Sequence, residues 1–237
     1  MIQLSPHRLS PRKPSPGRMR VRRKDNISLF LMTVPGILVF IKNATFWLSL
    51  RNTLLYNAAF LITGIICPML LAIGLNELLS KKLARTLQTF VIMPHFVSYV
   101  VVSVIVFALC SADNGMIAHF LDSIGLPRIA FYSEAKYWPW NLNIVHIWKS
   151  TGYSSIIYMG ALTGISDEYY EAAVIDGASK WQQTRYITIP FLIPMTVILA
   201  ILRVGGMFSS TFDLFYQVPL NSGQLYPVTN TIDVFVY

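Results

Sequence analysis

The sequence has few charged residues. Only 13% of its 237 residues are Asp, Glu, Lys or Arg, and 54% are hydrophobic, whereas about 25% of the residues in an average soluble domain are charged. The mean hydropathy is +0.52. This shortage of charge excludes an ordinary soluble domain and indicates that much of the apolar surface lies in lipid.

Cysteine is also scarce. The sequence has two cysteines, Cys67 and Cys110, and both lie in or at the end of apolar runs. Their number and spacing support neither a disulfide framework nor a metal site, so we expect both to be small buried hydrophobic residues. The phosphate-binding pattern G-x-x-x-x-G-K-[ST] does not occur, which argues against a nucleotide site in this chain. We predict no metal site.

The positive charge is concentrated in an N-terminal tail, residues 1–26. This tail holds eight of the 19 Lys and Arg residues, opposed by the single acid Asp25. It also contains four prolines with Ser and Gly between them, a composition that predicts disorder. A nucleic-acid contact is one interpretation, but a cytoplasmic flank of a membrane protein is favoured by the positive-inside rule. No A-x-A-like cleavage site follows, so we expect an uncleaved span rather than a signal peptide.

The apolar runs predict an all-α membrane helix bundle over residues 27–237. A bilayer core about 30 Å thick requires about 20 apolar residues per helix. The predicted spans are residues 27–41, which is short, 53–75, 87–110, 140–162 and 191–212, with a sixth beginning near Asn230. Residues 114–124 place Met116, Phe120 and Ile124 at helical intervals, which predicts a short helix on the membrane surface.

The charges of the loops set the predicted orientation. If the tail is cytoplasmic, the loop with Lys81, Lys82 and Arg85 is cytoplasmic too, and so is the loop over residues 166–190. The positive excess then lies on the inner side, as expected for a multi-pass protein of the bacterial inner membrane.

The loop 166–190 contains the signals of a short helix. Ser166 is a suitable N-cap, and Asp167 and Glu168 follow it where the helix dipole favours acids. Gly177 is placed to end the helix, because glycine accepts the left-handed conformation. The small Ala172 permits close approach of another protein. The residues alone leave two interpretations open, a docking helix or a plain amphipathic connector.

The same loop resembles the cytoplasmic signature loop of ABC importer permeases. It carries Glu171-Ala172-Ala173, then Asp176-Gly177-Ala178, and ends in Ile187-Thr188-Ile189-Pro190. Two positions depart from the pattern: Ile189 stands where leucine is usual, and Thr184 where a bulky aromatic residue is common.

Further stretches resemble the permeases of complex oligosaccharide importers, including those for uronate sugars such as alginate or aldouronates. They are residues 50–57, 75–82, 93–102, 146–165 and 211–216. Members of this branch carry additional residues between the first span and the segment that begins near residue 45, and also a complete sixth span. We therefore expect that the natural chain contains segments that this sequence omits.

The resemblance implies a type I importer architecture with six spans and a set of partners. These are two ABC ATPase subunits, a second related permease, an extracytoplasmic solute-binding protein and membrane lipid, without nucleic acid. The chain itself would bind no cofactor and catalyse no reaction, since ATP and Mg²⁺ belong to the ATPase. The residues expected to couple to the ATPase are Glu168, Glu171, Ala172, Ala173, Asp176, Gly177, Ala178 and Pro190.

Polar residues inside spans are candidates for the path of the cargo, because charge in a membrane normally faces a cavity or a partner. The candidates are His95, Tyr99, Trp148, Lys149, Tyr153, Arg203 and Asp213. In one interpretation Lys149 and Arg203 attract a carboxylated sugar while the aromatic residues stack on sugar rings. In the other, both cations bind helix carbonyls or acids of the partner permease.

Two other functions remain open at this stage. A polytopic glycosyl or lipid transferase requires a polar cluster near the headgroups, and the acids here are scattered. A stand-alone channel or transporter is favoured by symmetric halves with broken helices, and the sequence shows no internal repeat. An ATPase partner distinguishes the importer permease from both.

Overall fold

The computed structural model describes residues 42–78 and 80–237. The predicted tail 1–26 and the predicted span 27–41 lie outside the described residues. The described part is helical and contains no strand, in agreement with the predicted all-α class. Its helices are α1 Ala44–Asn76, α2 Lys81–Phe96, α3 Tyr99–Cys110, α4 Met116–Ser123, α5 Trp138–Leu162, α6 Asp167–Ile175, α7 Lys180–Gln183, α8 Ile189–Gly205, α9 Phe212–Gln217, α10 Tyr226–Thr229 and α11 Ile232–Val236.

Two helical segments of the described residues are long and apolar enough to cross a membrane. They are α1 and the continuous segment Lys180–Gly205, in which a π-helical turn, Thr184–Thr188, joins α7 to α8. The pair Lys82–Phe96 and Tyr99–Cys110 supplies a third if it is counted as one broken span. Helix α5 coincides with the fourth predicted span, but its Asn, His and Lys residues leave it less apolar than those two.

The third predicted span, 87–110, is wrong as a single continuous helix. The axes of α2 and α3 differ by 100° at a break over Val97 and Ser98. Both residues have extended backbone, and the Ser98 hydroxyl caps α3 by accepting a hydrogen bond from the Val101 amide at 3.4 Å. Pro94, which lacks an amide donor, lies in the last turn of α2. Pro94 and the Ser98 cap thus favour a break at this point of the chain.

Helix α5 packs along both α1 and α2. Gly152 of α5 makes the contact with α2 possible, because a Cβ at this position would lie 1.9 Å from the carbonyl oxygen of Val91. One buried cluster lies at the start of α5 around Trp138 and Phe215, and a second lies at its end around Tyr158 and Leu192. The two clusters fix both ends of the bundle.

Three further predictions concern shorter elements. The predicted fifth span, 191–212, is too long, because α8 ends at Gly205 and Phe212 begins a separate helix. Helix α4 confirms a helix over the predicted surface segment, and Met116, Phe120 and Ile124 are exposed. The predicted sixth run contains α11, whose Ile232 amide donates to the Thr53 hydroxyl at 2.9 Å.

Burial differs between the two apolar segments. Only 11% of the apolar window in Lys180–Gly205 is buried within the chain, against 33% in α1. The α8 segment therefore presents most of its surface to lipid or to another protein.

Candidate functional site

The predicted docking helix is present as α6, Asp167–Ile175. The Ser166 side chain caps it by accepting a hydrogen bond from the Glu168 amide at 3.4 Å. Asp167 and Glu168 occupy the first turn, where the positive end of the helix dipole stabilises acidic side chains. The sequence prediction of this helix start is confirmed.

The helix ends as predicted at Gly177. This residue has a φ of +78°, in the left-handed region, and its amide donates to the Val174 carbonyl at 3.0 Å. The Ala178 amide donates to the Ala173 carbonyl at 2.8 Å, which completes a Schellman motif. A Cβ on Gly177 would meet nothing within 4 Å. The end of the helix is thus open to a partner.

Side chains that the sequence reasoning missed hold α6 on the bundle. The Tyr170 hydroxyl lies 3.0 Å from the Thr188 hydroxyl, and the ring of Tyr169 lies 5.2 Å from that of Phe191. Gln183 is buried, and its Nε2 donates to the Ala178 carbonyl at 3.1 Å. The only sequence signal for these contacts is a set of polar residues in front of an apolar run.

The second half of the loop is a capped helical segment. The Ser179 amide donates to Gln182 Oε1 at 2.7 Å, and the Gln182 amide donates to the Ser179 hydroxyl at 3.4 Å, a reciprocal capping box. Thr184, one of the departures from the permease pattern, is half-buried and donates to the Lys180 carbonyl at 3.0 Å. Thr184 is also the first residue of the π-helical turn Thr184–Thr188.

The surface of the loop is suited to a protein partner. Among the predicted coupling residues, Ala173 and Ala178 are half-buried, and the exposed ones are Glu168, Glu171, Ala172, Asp176, Gly177 and Pro190. Ile175 is 86% exposed, and Val174, Trp181 and Tyr186 are exposed beside these polar positions. Exposed apolar side chains next to charged ones on a fixed helix are typical of a docking surface.

Lys149 is buried at the break between α2 and α3. Its Nζ donates to the carbonyl oxygens of His95 at 2.8 Å and Pro94 at 3.3 Å, and also to the carbonyl of Val97. It lies 4.8 Å from the centroid of the Tyr99 ring. All three ammonium protons thus have acceptors, which agrees with the interpretation that helix carbonyls bind this cation.

The other predicted path residues divide between several places. The rings of His95 and Tyr153 stack at 4.4 Å beside the Lys149 site. Trp148 is 44% exposed and lines a separate apolar cavity against α3. Asp213 is exposed on α9. The structure therefore brings together His95, Tyr99, Lys149 and Tyr153, with Asp213 in electrostatic range of Tyr99, and places Trp148 elsewhere.

Arg203 belongs to a different site, at the junction of α1, α5 and α8. Its guanidinium donates to the Ser154 hydroxyl at 3.4 Å and packs on Gly64, where a Cβ would lie 2.5 Å from Nη1. It lines a cavity of about 300 Å³ with His146 and Phe60. Within the described residues no carboxylate pairs with Arg203.

The comparisons with known proteins agree with this architecture. The family model described as "Binding-protein-dependent transport system inner membrane component" matches residues 64–212. The match begins inside α1 and includes the whole loop 166–190.

Similar sequences include two proteins of Bacillus subtilis. The chain is 33% identical over 198 residues to Protein LplB of Bacillus subtilis, covering 84% of this chain and 62% of the relative. It is 34% identical over 193 residues to the polygalacturonan/rhamnogalacturonan transport system permease protein YteP of the same organism, covering 81% and 60%. The chain thus spans about three fifths of the length of these curated relatives.

Two solved structures have a similar fold. One is described as a bacterial ABC transporter involved in the import of the acidic polysaccharide alginate; it matches with a TM-score of 0.82 and 27% identity, over 92% of this chain and 78% of that one. The other is a bacterial alginate ABC transporter in complex with an alginate pentasaccharide-bound periplasmic protein, with a TM-score of 0.78 and 27% identity, over 90% and 83%.

Proposed function

The chain belongs to the family of binding-protein-dependent transport system inner membrane components, and we propose that it is a permease subunit of an ABC importer for oligosaccharides. The observation that carries this proposal is the capped, exposed helix α6, held on the bundle by Tyr170 and Gln183 and ended by Gly177. The name of the relative YteP and the description of the similar ABC transporter structure support the importer over a membrane enzyme or a stand-alone channel.

In this proposal the loop 166–190 faces the cytoplasm, as does the N-terminus, and α6 inserts into a cleft on an ATPase subunit. Two ATPases and a second, related permease complete the membrane complex. ATP and Mg²⁺ bind in the ATPase, and this chain contributes no catalytic group. The contact of Tyr170 with Thr188 transmits the movement of α6 to the π-helical turn that leads into α8, and the hydrogen bond from Gln183 to Ala178 joins the end of α6 to α7.

An extracytoplasmic binding protein delivers the cargo in the same proposal. The neighbour solved with an alginate pentasaccharide-bound periplasmic protein supports such a partner. The cargo is an oligosaccharide with uronate residues, supported by the alginate importer and by the name of the polygalacturonan/rhamnogalacturonan relative.

A pull-down of the chain from detergent-solubilised native membrane, followed by mass spectrometry, tests the partners. We expect an ABC ATPase and a second permease in the eluate. If the chain is stable and elutes without either protein, the importer proposal is wrong.

Gly177→Asp tests the docking helix directly. An aspartate tolerates the left-handed backbone better than most residues, and the chain itself offers no clash at this position. We expect sugar uptake to fall about tenfold or more while the amount of protein in the membrane stays within twofold, because the added charge meets the ATPase.

Gly125→Asp is the matched control. Gly125 has a φ of +75° and equally open surroundings, but it lies in the loop after α4, predicted to be on the opposite side of the membrane. We expect this variant to keep wild-type uptake. Normal uptake by Gly177→Asp would contradict the docking assignment.

A further inference from the structure

The cavity at Arg203 lies at the junction of three helices. Its volume of about 300 Å³ is at the lower end of the range for small-molecule sites, about 300–1,000 Å³. The cavity is lined by Asn57, Phe60, Leu61, His146, Arg203, Gly206, Ser209, Ser210 and Thr211. This lining combines one cation, several hydrogen-bonding groups and two aromatic rings, with no acidic residue.

The hydrogen-bonding capacity of Arg203 is largely unused. A guanidinium carries five N–H donors, and here one nitrogen donates to the Ser154 hydroxyl at 3.4 Å. No carboxylate among the described residues forms an ion pair with it. The carboxylate of Asp233 is occupied at the rim of the cavity by the hydroxyl of Ser210, at 2.6 Å. A half-buried cation that no carboxylate among the described residues neutralises is suited to an anion from outside the chain.

The remaining wall of the cavity is held by ring stacking and hydrogen bonds, and it contains a buried polar atom without a hydrogen-bond partner. Phe60 and His146 stack with ring centroids 3.9 Å apart, and the Nε2 of His146 is buried without a hydrogen-bond partner. The side-chain amide of Asn57 donates to the carbonyls of Met207 and Ser209, both at 2.9 Å. The segment after α8 is therefore held in place, and the site exists before a ligand arrives.

We propose that this cavity binds the carboxylate of an acidic sugar residue, with the Arg203 guanidinium as its counter-charge, so that the permease itself selects cargo by charge. A planar guanidinium offers two parallel donors to a carboxylate, a geometry that a neutral sugar hydroxyl does not match. Lys149 takes no part, because its three donors are bound to backbone carbonyls. The inference rests on the proposed importer function and adds a selectivity step within the membrane.

Equilibrium dialysis of the assembled importer in nanodiscs, without its binding protein, tests this proposal. The probes are trigalacturonate and the same trisaccharide with its carboxyl groups reduced to alcohols. At low ionic strength the wild type should bind the acidic probe about tenfold more tightly than the neutral one. Added salt should weaken the binding of the acidic probe and leave the binding of the neutral probe unchanged.

Variants identify the residue responsible. Arg203→Gln should reduce the preference for the acidic over the neutral probe to less than about twofold. Arg203→Lys should retain part of this preference because the charge remains. Gly64→Ala leaves Arg203 in place but displaces its guanidinium, since the new Cβ would lie 2.5 to 3.0 Å from its atoms; it should also reduce the preference. Arg51→Gln removes the same charge from an exposed position on α1 and should change nothing.

Three results would overturn the proposal: equal binding of the two probes by the wild type, no binding of either, or an unchanged preference in both Arg203→Gln and Gly64→Ala. If the ATPase still co-purifies with the chain in those cases, the importer function stands and only the charge selection is wrong. If no ATPase co-purifies, the proposed function itself is wrong.

Discussion

Two cations inside the helix bundle, Lys149 and Arg203, have opposite surroundings. Lys149 is 8% exposed, and each of its ammonium protons has a carbonyl acceptor at the break between α2 and α3. Arg203 is half-buried, borders a cavity and has one hydrogen bond to the part of the chain that the structure describes. From the sequence alone the two residues were equivalent candidates for the same role.

The difference shows what a buried cation contributes when its donors are satisfied and when they are not. Carbonyl groups at the end of a helix lack intrahelical hydrogen-bond donors, and the ammonium of Lys149 donates hydrogen bonds to them. Its positive charge also interacts favourably with the negative end of the helix dipole. Such a cation stabilises a fold and has nothing left for a ligand. The guanidinium of Arg203 forms one hydrogen bond among the described residues, so in our proposal the entering carboxylate compensates its desolvation.

The largest expected effect is a loss of stability when the charge of Lys149 is removed. Lys149→Met keeps the length of the side chain but leaves three buried carbonyls without their donor, which should cost about 3 kcal/mol or more in the free energy of unfolding. Thermal unfolding of the purified chain in detergent measures this. Lys180→Met, at an exposed position, is the control and should have no measurable effect. A Lys149→Met protein as stable as the wild type would show that the carbonyl contacts are dispensable.

Gly152→Ala tests the same region through packing. The added Cβ would lie 1.9 Å from the backbone oxygen of Val91, so α5 and α2 must separate, at a cost of about 2 kcal/mol. Gly160→Ala is the matched control on the same helix, because a Cβ there meets nothing within 4 Å. Unfolding curves of the two variants should differ clearly. If they coincide, the close approach of α5 to α2 is not required for stability.

The smallest expected effect on stability is that of removing the charge of Arg203. Arg203→Gln removes a single hydrogen bond, so the free energy of unfolding should change by less than about 1 kcal/mol, while the charge preference of the cavity is lost. Measured beside Lys149→Met, this variant sharpens the contrast between a structural cation and a binding cation. Destabilisation of Arg203→Gln as large as that of Lys149→Met would remove the contrast.

Helix α6 is the part of the molecule that sequence reasoning predicted well. Its start at Ser166 and its end at Gly177 depend on side-chain and backbone chemistry within a few residues, so the local pattern was sufficient.

The site residues inside the spans were less predictable. Trp148, Lys149 and Arg203 are all polar or aromatic residues in apolar runs, and nothing in that pattern tells which of them faces a cavity.

The break at Val97 and Ser98 also could not be predicted from the hydropathy of the sequence. The run 87–110 is apolar throughout its second half, and hydropathy does not distinguish a straight helix from one bent by 100°. Pro94 weakens the helix locally, but the bend is held by Lys149, which lies more than fifty residues later in the chain.

The sequence by itself determined that the chain is a helical membrane protein and where helix α6 begins and ends, because hydropathy and helix caps act over one turn or one span. The tertiary structure alone decided that Lys149 binds carbonyls of α2, that Arg203 contacts Ser154 at the edge of a cavity, and that Tyr170 contacts Thr188 in front of α8. These contacts form between groups distant in the chain, and only the packing of the helices brings the groups together.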